Sequence, residues 1–139
     1  MQMAFCRHFS SAHLRIGQSP MKLSPEEIEA RLAEVRRSYI ASLAEKREAV
    51  VMQWAALSTQ WHHETYQSLY LIIHSLAGSA ETFGLTDITQ DARKVIDLFK
   101  QHTEQQPLDS DVMRAITIGI EQLVTSMTSA LLEIKNHGG

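Results

Sequence analysis

From Glu26 to Ala77 the chain contains neither glycine nor proline. Such a run lacks the residues that punctuate turns and end helices, so helix is the state its backbone reaches most readily. Ile28, Leu32, Val35 and Tyr39 recur at intervals of four, three and four, which lines apolar side chains along one helical stripe. Leu43, Val50, Trp54 and Leu57 continue the pattern after a phase slip near Glu45 to Arg47. The spacing predicts a first helix to about Leu43 and a second from about Ala44 to Leu57, with one continuous helix as the alternative. The start is marked by Ser24-Pro25-Glu26-Glu27, a serine N-cap followed by proline at the first helical position and glutamate at the third. Leu23 and Ile28 stand where a hydrophobic staple would clamp that start.

Ser58 to Gln60 reads as a connection, and a third helix is expected from about His63 to Thr82, ended by Gly84 in the left-handed conformation. A fourth carries Ile88, Ala92, Val95 and Phe99 on one stripe, and Gln105-Gln106-Pro107 breaks it. Asp109 or Ser110 caps a fifth, whose stripe is Val112, Ile116, Ile120, Leu123, Met127, Ala130 and Ile134. Gly119 interrupts this last helix, and a close helix contact is the expected reason. Asn136 to Gly139 read as a frayed terminus. No strand pattern competes. The expected fold is all-α: an antiparallel up-down-up-down four-helix bundle with an additional N-terminal helix as a lid. Residues 1–22 are expected to be a disordered or extended tail, and residues 23–139 the bundle domain.

The 139 residues suit one domain. With 44% hydrophobic residues the chain is neither a disordered acidic polymer nor a membrane protein in composition. Its most apolar stretch, Leu69 to Leu76, is interrupted by His74 and Ser75 and falls far short of the roughly 20 residues of a membrane span. The net charge is -3. Arg7 and Arg15 stand in an acid-free stretch of residues 1–20, so the rest of the chain carries the whole negative balance. Nucleic-acid and anionic-membrane binding are therefore not expected. The one cysteine, Cys6, allows no internal disulfide and suits a reducing, cytoplasmic setting. The acid-free start also shares its composition with mitochondrial transit segments; the reading adopted is a tail, or an extension upstream of a start at Met21.

The third helix holds the candidate chemistry. On a wheel of about 100° per residue, Leu69, Ile72, Leu76, Ala80 and Phe83 lie opposite His74 and form the expected core face. His74 then points outward, with Gln67, Tyr70, Leu71, Ala77, Gly78 and Glu81 as its wheel neighbours. Gly78 follows His74 by four residues and stacks beside it. A mid-helix glycine costs about 1 kcal/mol against alanine, so a spatial reason is expected. It could leave room for a group bound to the histidine, or it could mark a close helix contact. A neutral imidazole can attack phosphorus through its free lone pair. The plainer alternative is an exposed histidine with no role.

His74-Ser75-Leu76-Ala77-Gly78-Ser79-Ala80, followed by Thr82-Phe83-Gly84-Leu85, resembles the signature of histidine-phosphotransfer (HPt) domains, usually H-x-L-K-G-S-A with a glycine ten residues after the histidine. The Thr-Phe-Gly ending is similar to the phosphotransfer domain of chemotaxis kinases. The resemblance implies that His74 accepts a phosphoryl group and that Gly78 clears space for it. It also implies that a response-regulator receiver domain docks over Gln67, Tyr70, Leu71, Ala77 and Glu81, the partners being that receiver and a hybrid histidine kinase. The family's lysine, three residues after the histidine, is Ala77 here, so its charge is missing or supplied elsewhere. Glu81, about 20° from His74 on the wheel, could repel a phosphoryl group or orient the ring.

His62, His63 and Glu64 cluster, but about 16 Å of helix separates His63 from His74, too far for one metal ion. No metal site and no cofactor are expected. The absence of a glycine-rich phosphate loop argues against an ATP site, so the chain is not expected to be a kinase or an enzyme with its own turnover. The function expected is a monomeric phosphorelay carrier. The alternatives are a binding-only module that sequesters a receiver, and a structural or oligomerising bundle built on the seam from Val112 to Ile134.

Overall fold

The structure, a computed structural model, describes residues 22–102 and 108–137. Among these, four helices occur and no strand: α1 (Pro25–Thr59), α2 (His63–Thr82), α3 (Thr86–His102) and α4 (Ser110–His137). All of the expected tail of residues 1–22 except Lys22, and the break at residues 105–107, lie outside the described residues. The chain divides into two compact units, one up to Val35 and one from Arg36 onward.

In the first unit, the start of α1 is closed as its sequence requires. The Glu27 amide donates to Ser24 Oγ at 3.2 Å, and the Ser24 amide donates to Glu27 Oε1 at 3.1 Å. This reciprocal pair satisfies amides that the first helical turn leaves unpaired. Ile28, Leu32 and Val35 are exposed.

The expected separate N-terminal helix is absent, because residues 25–59 form one helix. The slip near Glu45 to Arg47 is a change of stripe and not a break. Residues 44–49 contain no helix breaker, so the backbone continues while the buried set passes from Leu43 to Val50.

The second unit has one core. It gathers Ile40, Leu43, Val50, Trp54 and Leu57 from α1, Leu69, Ile73, Leu76, Ala77 and Ala80 from α2, Ile88, Ala92, Val95, Ile96 and Phe99 from α3, and Ile116, Ile120, Leu123, Met127 and Ala130 from α4. The stripes expected for α3 and α4 are thus the ones buried, with Val112 and Ile134 packed at the margins. Asp109 Oδ1 caps α4 by accepting from the amides of Asp111 and Val112 at 2.7 and 3.0 Å. Trp54 Nε1 donates to Thr117 Oγ1 at 3.0 Å, and Ser126 Oγ donates to Asp91 Oδ2 at 2.5 Å, which tie α1 and α3 to α4.

By length and composition α4 could cross a membrane, since an 18-residue window within Ser110–Asn136 has a mean hydropathy of 1.3. Its Ile116, Ile120, Leu123, Met127 and Ala130 fill the core, whereas Ile118 and Leu132 are exposed.

Gly119 is where α4 meets α3. A Cβ there would lie 3.2 Å from Val95 Cγ2 and 3.7 Å from Leu98 Cδ1. The expected close helix contact is the arrangement found. Replacing Gly119 with leucine forces several atoms into this seam, and we expect a loss of about 1–3 kcal/mol in urea unfolding; unchanged stability would mean that the seam is slack.

Candidate functional site

α2 is fixed at both ends. At its start the Thr65 amide donates to His62 Nδ1 at 3.4 Å, which makes His62 the N-cap. At its end Gly84 adopts φ 73°, the left-handed conformation anticipated from the sequence. Near that end, α1 grips the helix. Tyr39 stacks on Phe83 with ring centroids 4.6 Å apart, its hydroxyl lies 2.6 Å from Ser79 Oγ, and Arg36 Nε donates to the Phe83 carbonyl at 3.1 Å. Burial pushes the Tyr39 hydroxyl above its ordinary pKa, opposed by the bond to Ser79.

The buried face of α2 is turned from the expected one. Leu69, Leu76 and Ala80 are buried as anticipated, but Ile73 is fully buried while Ile72 and Phe83 are only partly covered. Ala77 is 9% exposed and belongs to the core. The centre of the buried stripe therefore lies about a third of a turn from His74, instead of half a turn. The cause is α3, which packs along α2. A helix flanked by neighbours on two sides buries a wide arc, and a wheel drawn around a single opposite pole underestimates one edge of it.

His74 is exposed and stands at that edge. Its ring lies nearly parallel to Tyr70, at 6.1 Å between centroids and 13° between planes. Tyr70 in turn packs against Phe99 at 6.4 Å, in an aromatic group that includes Tyr66 and Trp54. On its other side, His74 opens onto a depression of about 330 Å³ lined by Ala77, Gly78, Arg93, Ile96, Asp97 and Lys100. A Cβ on Gly78 would meet nothing within 4 Å, so this glycine faces open space. The alternative of a close helix contact at Gly78 is thereby excluded; Gly119 makes such a contact and Gly78 does not.

The residues expected to form a docking rim separate. Gln67 and Leu71 are exposed, Leu71 at 64%, and they line a second depression of about 450 Å³ with Tyr66 and Tyr70, which is half-buried. Ala77 does not join this rim: its methyl is buried toward α3 and reaches only the floor of the depression beside His74. Glu81 neither touches the imidazole nor stands free. Its Oε2 accepts from Arg93 Nη2 at 2.9 Å, with both side chains more than half exposed. Arg93, Asp97 and Lys100 were not among the residues singled out in the sequence. Their spacing of four and three on α3 was the available signal, but nothing local ties that face to His74.

A sequence model described as the Hpt domain matches residues 26–126, most of the chain. The chain belongs to the Hpt domain family. Hpt domains are phosphotransfer carriers in two-component signalling, not kinases, and work with receiver domains and histidine kinases. Neither curated proteins nor solved structures gave a match to the chain.

In this Hpt domain, the open space at Gly78 makes a stability prediction. Gly78→Ala adds a methyl that meets nothing and removes the flexibility of a mid-helix glycine, so the fold should gain about 1 kcal/mol in urea unfolding. A loss of stability would show that the position is sterically closed.

Proposed function

We propose that this Hpt domain accepts a phosphoryl group on His74 from an aspartyl phosphate of a receiver or hybrid kinase and passes it to the aspartate of a response-regulator receiver domain. The observation that carries this reading is the imidazole at the mouth of an open depression, with no side chain above Gly78. An incoming aspartyl phosphate needs that approach. One neutral ring nitrogen donates its lone pair to phosphorus, and the new N–P bond replaces the P–O bond to the aspartate. The aspartate leaves as a carboxylate with the bonding electrons, and the other ring nitrogen keeps its proton. Reversal of these steps delivers the group to the next aspartate. The partner can supply metal and acceptor, so the bundle need only hold the ring in place.

The stack of Tyr70 on His74 supports a fixed ring. Gln67, Tyr70 and Leu71 form part of the docking surface in this reading, a partly apolar patch on the exposed side of α2. The domain is taken to span residues 23–139 as an antiparallel, up-down-up-down bundle, monomeric and cytoplasmic. The short connections at residues 60–62 and 83–85 favour that topology, and the single cysteine suits that compartment.

Ala77 in place of the family's lysine favours a second reading, a domain that binds a receiver without accepting its phosphoryl group. Incubation with a phosphorylated receiver separates the two. Phosphotransfer predicts label on the wild type and none on His74→Gln, with the receiver bound equally by both. Binding of the receiver with no label on either would establish the second reading, and equal label on both would end the proposal for His74.

A further inference from the structure

The depression beside His74 brings together charges that the sequence scatters. Arg93 and Lys100 are seven residues apart on α3, two turns along one face, and both line it with His74. Between them stands Asp97, which lines it too. From α2, Glu81 reaches across to Arg93 at 2.9 Å. The position where the family places a lysine holds the buried methyl of Ala77, which can offer no charge to an anion on His74. A phosphoryl group nevertheless brings close to two negative charges to the ring near neutral pH.

We propose that Arg93, with Lys100, provides the cationic partner of phosphorylated His74, and that Glu81 holds Arg93 in the unphosphorylated state and gives it up when the phosphoryl group arrives. This inference rests on His74 being the phosphoacceptor and adds the residues that stabilise its product. The exchange follows from the relative strength of the two anions. A guanidinium donates through a planar fork that fits two oxygens of a phosphoryl group as well as it fits a carboxylate. The phosphoryl group carries the larger charge. The existing pair is exposed on both sides, and such pairs contribute little in water, so breaking it is cheap. Lys100, from the next turns of α3, acts as a point charge on the same side. Asp97 is the second anion of the depression; it separates the two cations and offsets part of their field. Arg93 and Lys100 are positioning and charge-stabilising residues here, and the bond exchange at phosphorus stays with His74 and the partner's aspartate.

The test measures how the label divides at equilibrium between a phosphorylated receiver and the full chain, at concentrations where the two are mostly apart. Arg93→Gln should move the balance toward the receiver by roughly twofold to fivefold, and Lys100→Gln by roughly twofold, the range set by one solvent-screened charge contact. Arg93→Lys should recover part of the loss. Glu81→Gln should move the balance the other way, toward the chain, because Arg93 no longer has a competitor. The double variant Arg93→Gln, Glu81→Gln should behave as Arg93→Gln alone, since Glu81 acts through Arg93. A structural role would not give opposite signs for two partners of one ion pair. If wild type labels on His74 and these variants divide the label as wild type does, the proposal is overturned while the phosphoacceptor stands. If Glu81→Gln keeps its effect without Arg93, the exchange is overturned as well. If wild type takes no label at all, the phosphoacceptor reading falls and this inference with it.

Discussion

Ile73 and Ala77 stand on either side of His74 along α2, and both are buried, Ala77 beside the α3 residues Arg93 and Ile96. Because they are fixed in the core, the imidazole between them in the helical sequence cannot swing to the outermost face of α2. It is held where α2 and α3 meet, with Tyr70 against one side and a depression on the other. A ring on the far face would be more exposed but would have only its own helix for company. A ring at the edge borrows side chains from α3, and Arg93, Asp97 and Lys100 become part of its surroundings.

Holding the ring there depends on aromatic packing. Phe99, fully buried, meets Trp54, Tyr66 and Tyr70 within 6.4 Å. Tyr70 is thereby anchored at its core side while its other side meets His74. A histidine that transfers a group must not lose much freedom when the partner arrives, and a stacked ring has already given up part of that freedom on folding. Gly78 contributes by absence. The helix tolerates a residue that weakens it, and the only consequence visible in the structure is free space beside His74.

Much of this was legible in the sequence because it is local. The Ser24 capping box, the left-handed Gly84, the Asp109 cap, and the stripes of α3 and α4 each depend on residues within a few positions of one another. Gly119 was also readable, since a glycine inside a continuous apolar stripe has few other uses. Features that depend on a second helix were not. The slip at Glu45 to Arg47 leaves a boundary and one continuous helix both open, because a wheel cannot distinguish a broken helix from one that changes neighbours. The core direction of α2 is hidden for a related reason: which helix packs along α2 is not written in α2. The Glu81–Arg93 pair spans two helices and had no local signature.

The central claim is that the imidazole at the meeting of α2 and α3 becomes the phosphorylated atom. It is tested most directly by phosphorus NMR of the full chain, labelled with nitrogen-15 in its histidine rings, after exposure to a phosphorylated receiver. The account predicts one new phosphorus resonance that is split by a ring nitrogen and assigned to His74. A resonance coupled to another histidine, such as His62 or His63, or phosphorus found only on the receiver while the two proteins bind, would contradict it.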